Sequence, residues 1–193
     1  MNFLAHLYLS GTFDEAMIGN LMADFITGRI REDIPEKIRE GIVLHREIDS
    51  FTDSHPVVRK AKHHLFPVYR HYASVITDVF YDHFLATHWQ HYHPEPLEQF
   101  AEKIYQFLTE KEELLPVDML PVVHAMKRQN WLVNYGTLDG MNRTLTNTAK
   151  RTKFASGMEH AVNDLQKDYD FYQDNFREFF PDLVQHVERL KAA

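Results

Sequence analysis

The chain has 193 residues, 44% hydrophobic and 25% charged, enough to bury the core of one domain. It contains no cysteine, which excludes disulfide frameworks, thiolate zinc sites and cysteine nucleophiles, and leaves imidazole and oxygen to hold any metal. A net charge of −7 argues against general nucleic-acid binding. No run approaches the roughly 20 apolar residues of a membrane span, and no basic leader precedes the apolar start, so a cytoplasmic location is expected.

Helical periodicity runs through almost the whole chain, and only seven glycines interrupt it. The first predicted helix covers 2–10 and ends at Gly11. Thr12 and Glu15 form a capping-box pattern for a second helix reaching 26. Pro35 is suited to a first helical position, opening a third helix to 53. His55-Pro56 restarts a short helix that should stop near Pro67, and a longer one follows to 92, where HYHPEP breaks the pattern. Further helices are predicted over 96–113, 117–135, 138–150 and 156–180, with a tail after Pro181. Strand alternation, repeats and long linkers are absent, so the expectation is a single all-α globular domain over residues 1–193.

The third helix carries the chemistry. In GIVLHREIDSFTDSHP, His45, Asp49, Thr52 and Asp53 recur at three- and four-residue intervals and continue the stripe begun by Ile38 and Ile42. An imidazole and a carboxylate turned toward a core are costly unless paired or metal-bound. His45 and Asp49 are therefore metal-ligand candidates, and Asp24, in the apolar setting LMADF, is another. In DVFYDHFLATHW, Asp78 and Asp82 stand four apart beside His83. Asp82 and His83 point about 100° apart on a helix, so one should bind metal while the other orients a neighbour or points elsewhere. Asp78 reads equally as a ligand or as a group orienting a histidine. Arg46, beside His45 on an adjacent face, reads equally as a two-hydrogen-bond donor to phosphate oxygens or as a surface arginine, and Asp53 completes the catalytic candidates of this helix. No glycine-rich phosphate loop, nucleophile elbow or HExxH zinc helix is present, so phosphate chemistry here must rely on metal and basic side chains.

Charge is unevenly placed. Residues 54–77 contain no acid but hold Arg59, Lys60, Lys62 and Arg70, and the acid-free stretch 140–158 holds Arg143, Lys150, Arg151 and Lys153. Either could face an acidic partner or simply solvent.

The ordered motifs NFLAHL, GNLMADF, LHREIDSFTD and DVFYDHFL followed by HW resemble those of the bacterial acyl carrier protein phosphodiesterases, a divergent branch of the HD-type metal-dependent phosphohydrolases. The resemblance implies an HD-domain-like fold and hydrolysis of the phosphodiester joining 4'-phosphopantetheine to a serine of holo-acyl carrier protein. It implies a divalent ion, Mn2+ first, with Mg2+, Fe2+ or Zn2+ as alternatives. It also lifts His6, otherwise an ordinary core histidine, to a candidate acid that protonates the departing serine oxygen. The first basic stretch would then dock the acidic carrier. A nucleotide phosphohydrolase of HD type and a non-catalytic helical binding module are the alternatives.

Overall fold

Residues 1–26 and 28–192 are described by the computed structural model, and among them there are eleven α-helices and no strand. They are α1 (Phe3–Ser10), α2 (Glu15–Met22), α3 (Glu36–Ser54), α4 (Pro56–Tyr69), α5 (Ala73–Thr87), α6 (Leu97–Glu110), α7 (Leu120–Arg128), α8 (Trp131–Asn134), α9 (Leu138–Ala149), α10 (Ala161–Lys167) and α11 (Tyr169–Ala192). The all-α expectation holds. Among the described residues no helix is long and apolar enough to cross a membrane.

Helix α5 is the axis of the packing. Its apolar residues are not confined to one stripe, and Ile76, Val79, Phe80, Tyr81, Phe84 and Leu85 are all buried, as expected of a helix surrounded by others. Helix α11 lays Tyr172, Phe176 and Phe179 against it, with ring pairs Phe80–Tyr172 at 5.1 Å and Tyr81–Phe179 at 5.5 Å.

Helices α2 and α3 meet backbone to backbone. A methyl added at Gly19 would lie 2.0 Å from the carbonyl oxygen of Ile38, and one at Gly41 would lie 1.9 Å from that of Ala16. Only hydrogen at both positions permits this approach, which brings the end of α2 against the middle of α3.

Prolines account for two departures from the expected elements. Helix α4 runs through Pro67 to Tyr69, because Leu65 and Tyr69 on either side of it are buried. Likewise α11 continues through Pro181, with Leu183 and Val187 buried beyond it, so the expected tail is helix. In each case packing on both sides outweighs the one hydrogen bond that proline cannot donate. Four boundaries also shift. Asp14, not Thr12, caps α2 by accepting from the Ala16 N–H at 3.0 Å, while Pro35 is the cap preceding α3. Asn130 takes a left-handed conformation (φ 47°) that divides the predicted 117–135 helix into α7 and α8. The predicted 156–180 helix is divided at Asp168 into α10 and α11.

Gly19→Ala and Gly41→Ala should each destabilise the protein by about 3 kcal/mol or more, since overpacking here strikes backbone that cannot rotate away. Calorimetry should show a Tm lower by about 8 °C for a domain of this size. An unchanged Tm in either variant would contradict the close crossing.

Candidate metal centre

The crossing of α2 and α3 sets Asn20 against His45, and Asn20 organises the site. Its backbone carbonyl accepts from His45 Nδ1 at 2.8 Å. Its amide Nδ2 donates to the His6 carbonyl at 3.0 Å and to Ser10 Oγ at 2.9 Å, which leaves Oδ1 facing His6 Nδ1 at 2.9 Å as an acceptor. One asparagine therefore fixes both imidazoles with hydrogen on Nδ1. The rings stack at 4.0 Å between centroids and 13° between planes, so their Nε2 atoms point the same way.

They point at Asp49. Its Oδ1 lies 3.2 Å from His6 Nε2 and its Oδ2 3.2 Å from His45 Nε2. Asp24, in the 3-10 turn Ala23–Phe25 that ends α2, places Oδ1 3.2 Å from the same His45 nitrogen. His6, His45 and Asp49 are close enough to ligate one ion together, each through one atom.

The protons decide what this cluster lacks. Burial lowers the pKa of His45, but bonds to Asp24 and Asp49 outweigh it and raise the value to about 9. His45 is therefore an imidazolium between two carboxylates. Burial raises Asp49, yet the bond from the His45 imidazolium, together with the Met1 ammonium, holds it well below the usual carboxylate range. For His6 burial prevails, pushing its pKa down to about 4. Neutral His6 with hydrogen on Nδ1 turns a bare Nε2 lone pair toward an anionic oxygen, and that nitrogen is buried without a hydrogen-bond partner. Two electron-pair donors facing each other at 3.2 Å are a pair that a cation would satisfy. The residues present fit a divalent metal: two imidazole nitrogens and the oxygens of Asp49 and Asp24, with no sulfur.

The other candidates stand outside this group of four. Asp82, expected as a ligand, is fully buried beneath the first turn of α1, where its oxygens accept from the N–H groups of Leu4 (2.7 Å) and Ala5 (3.3 Å). It satisfies a helix N-terminus and supports the helix that carries His6. Burial pushes it up to about 7 against those bonds. His83, its neighbour, points away: Nδ1 donates to the Tyr135 carbonyl at 2.7 Å, and Nε2 meets the Tyr169 hydroxyl at 3.1 Å. Asp78 lies beside the cluster, 3.2 Å from the Met1 ammonium, which is itself 3.4 Å from Asp49. Arg46 donates to the Gly28 carbonyl at 2.8 Å, tying down the loop that follows Asp24. Asp53, one turn past Asp49, pairs with Lys62 at 2.5 Å on the surface. His6 also changes role, because a neutral ring holding a lone pair toward Asp49 has no proton to give a leaving group.

Sequence reasoning passed over Asn20 and Ser10. The signal was present, since an amide between Met17, Ile18 and Leu21 on a short apolar helix must be buried and must bond to something specific.

A cavity of about 290 Å³ adjoins the cluster, with Asp24, Asp49 and Asp78 in its lining. Phe3, Trp131 and four polar residues of the α9 region, Thr144, Asn147, Thr148 and Arg151, line it as well.

In metal-free protein the raised pKa of His45 has a definite sign. The folded state holds this proton more tightly than the unfolded chain does, so its contribution is complete below about pH 6.5 and is lost as pH rises through about 9. The Met1 ammonium, raised to about 10 by neighbouring carboxylates against the effect of burial, adds a loss of the same sign above pH 8. Urea unfolding of EDTA-stripped protein should show stability falling between pH 6.5 and 9, by on the order of 3 kcal/mol. In His45→Gln most of that fall should vanish, and an equally steep profile in the variant would reject the assignment.

A sequence profile of a family described as acyl carrier protein phosphodiesterase matches residues 1–183. Proteins named acyl carrier protein phosphodiesterase are similar along nearly their whole length. That of Klebsiella pneumoniae (strain 342) is 33% identical over 189 residues, 97% of this chain and 98% of the relative. That of Enterobacter sp. (strain 638) is 33% identical over 185 residues, 95% and 96% of the two chains. That of Escherichia coli O45:K1 (strain S88 / ExPEC) is 32% identical over 194 residues, 98% of each. No solved structure matches significantly.

Proposed function

Because the chain belongs to the acyl carrier protein phosphodiesterase family, we propose that it hydrolyses the phosphodiester between 4'-phosphopantetheine and the serine of holo-acyl carrier protein in the cytoplasm. The products are apo-carrier protein and free 4'-phosphopantetheine. The observation that carries this reading is the convergence of His6 and His45 on Asp49 at the edge of a cavity that is anionic on this side and holds an arginine in its lining.

His6 Nε2, His45 Nε2, Asp49 and Asp24 would hold the divalent ion. Nitrogen and oxygen donors without thiolate suit Mn2+, with Mg2+, Fe2+ and Zn2+ as alternatives. Such an ion acidifies water near neutral pH and offsets charge on phosphoryl oxygens. The protein's part is positional and electrostatic. Asn20 prevents either ring from turning, and the His45 Nε2 proton leaves to solvent when the nitrogen is needed as a ligand. Asp24, whose side chain is 67% exposed, marks the solvent side from which water enters. Water supplies the new P–O bond, and the departing serine oxygen takes its proton from solvent.

EDTA should abolish release of apo-carrier protein, and Mn2+ should restore it, when intact masses are followed. His45→Ala and Asp49→Ala should lower kcat by at least ~10³, or about 4 kcal/mol of barrier. A folded variant retaining near-normal kcat would remove that residue from the ligand set.

Carrier docking is assigned to α4 and the turn that follows it. Arg59, Lys60 and Arg70 are exposed beside exposed Phe66 and Val68, whereas Lys62 is occupied by Asp53. Reversing the charge of Lys60 and Arg70 together should raise KM by about tenfold with kcat nearly unchanged, because such contacts act equally in ground and transition states. The effect should fade toward 1 M salt, where the Debye length is about 3 Å. An unchanged KM would exclude this face.

A further inference from the structure

The cavity beside the metal centre has a second charged element that the mechanism above leaves unused. Thr144, Asn147, Thr148 and Arg151 recur at i, i+3, i+4 and i+7, so one face of α9 and the turn that prolongs it is presented to the cavity. The turn is fixed: the Arg151 N–H donates to the Thr148 carbonyl at 3.0 Å. Gly140 anchors the other end of α9, where an added methyl would lie 2.0 Å from the Asn134 carbonyl oxygen. Helix α9 thus packs directly on α8, whose Trp131 faces Phe3 at 6.2 Å between ring centroids and gives the cavity an apolar strip.

Arg151 stands out by what it does not do. Its guanidinium makes one long contact, 3.4 Å from Nη2 to Thr148 Oγ1, and no ion pair among the described residues. Yet Asp24, Asp49 and Asp78 line the same cavity. The cationic fork is not spent on these carboxylates, so its donors are available to an incoming anion. A ligand with a phosphoryl group at the metal centre and a polar, amide-bearing arm would meet complementary groups throughout: the guanidinium for charge, Thr144, Asn147 and Thr148 for amides, and Trp131 with Phe3 for apolar carbons.

We propose that Arg151 grips the phosphoryl oxygens of the substrate opposite the metal centre, and that the Thr144–Asn147–Thr148 face receives the pantetheine arm. This deepens, and rests on, the reading of the chain as a phosphopantetheine-releasing phosphodiesterase. Arg151 thereby leaves the basic stretch 140–158 as a docking charge and becomes a phosphate-binding residue of the active site.

The test is calorimetric titration of Mn2+-loaded protein with 4'-phosphopantetheine and with pantetheine, which differ only in the phosphate. The wild type should bind the phosphorylated ligand at least tenfold more tightly. In Arg151→Ala that preference should shrink by tenfold or more, with pantetheine binding unchanged, and Arg151→Lys should recover part of it. Arg151 is exposed at a turn, so both variants should keep the wild-type Tm. A preference unaltered in Arg151→Ala, or absent from the wild type, overturns the proposal. A wild type that shows the preference but never converts holo-carrier protein to the apo form overturns the underlying reaction and leaves the phosphate site standing.

Discussion

One carboxylate shared by two buried imidazoles is the constraint on which the rest of this structure turns. Asp49 presents an oxygen to each of His6 and His45 at 3.2 Å, and only one of those contacts has a proton in it. Each partner is held from behind. Asn20 fixes both rings, Asp82 supports the helix that bears His6, and the glycine crossing of α2 on α3 brings Asn20 to His45. These devices order the groups against an electrostatic cost that grows without a cation. A site so prepared pays for its rigidity at folding rather than at each turnover.

The part of the site within one helix was legible in the sequence. His45 and Asp49 are four apart on a stripe begun by Ile38 and Ile42, and a three-dimensional search was not needed to pair them. Asp24 was picked out for its apolar neighbours in sequence, yet it reaches His45 from an exposed turn. The misreadings came from residues whose partners are distant in sequence. Asp82 meets Leu4 and Ala5, and His83 meets Tyr135 and Tyr169, so two adjacent residues on α5 serve two different neighbours. Adjacency in sequence is separation on a helix, and nothing local says what surrounds α5. Asp53 and Arg46 failed for a related reason: each has a nearby surface partner, Lys62 or the Gly28 carbonyl, that removes it from the cluster.

The helical architecture was legible from periodicity, and its errors were errors of punctuation. Pro67 and Pro181 read as stops because a proline breaks an isolated helix, whereas buried residues on both sides of each keep α4 and α11 continuous. The two acid-free stretches looked alike in sequence but have different settings. Helix α4 presents its charges to solvent beside Phe66 and Val68, whereas Arg151 enters the lining of the cavity with Asp24 and Asp49. Composition can show that a segment lacks acids, but the wall it lines depends on packing between α9, α8 and α1.

The central claim is that a metal ion takes the place of the single proton held between His45 and Asp49. Side-chain 15N spectra of the two histidines, recorded at pH 7 on stripped protein and again with saturating Zn2+ as a diamagnetic ion, test it directly. The account predicts His45 as imidazolium and His6 as the neutral Nδ1–H form without metal, then loss of the His45 Nε2 proton and ligation shifts at both Nε2 atoms with metal. Two histidines whose spectra are unchanged by the ion would contradict it.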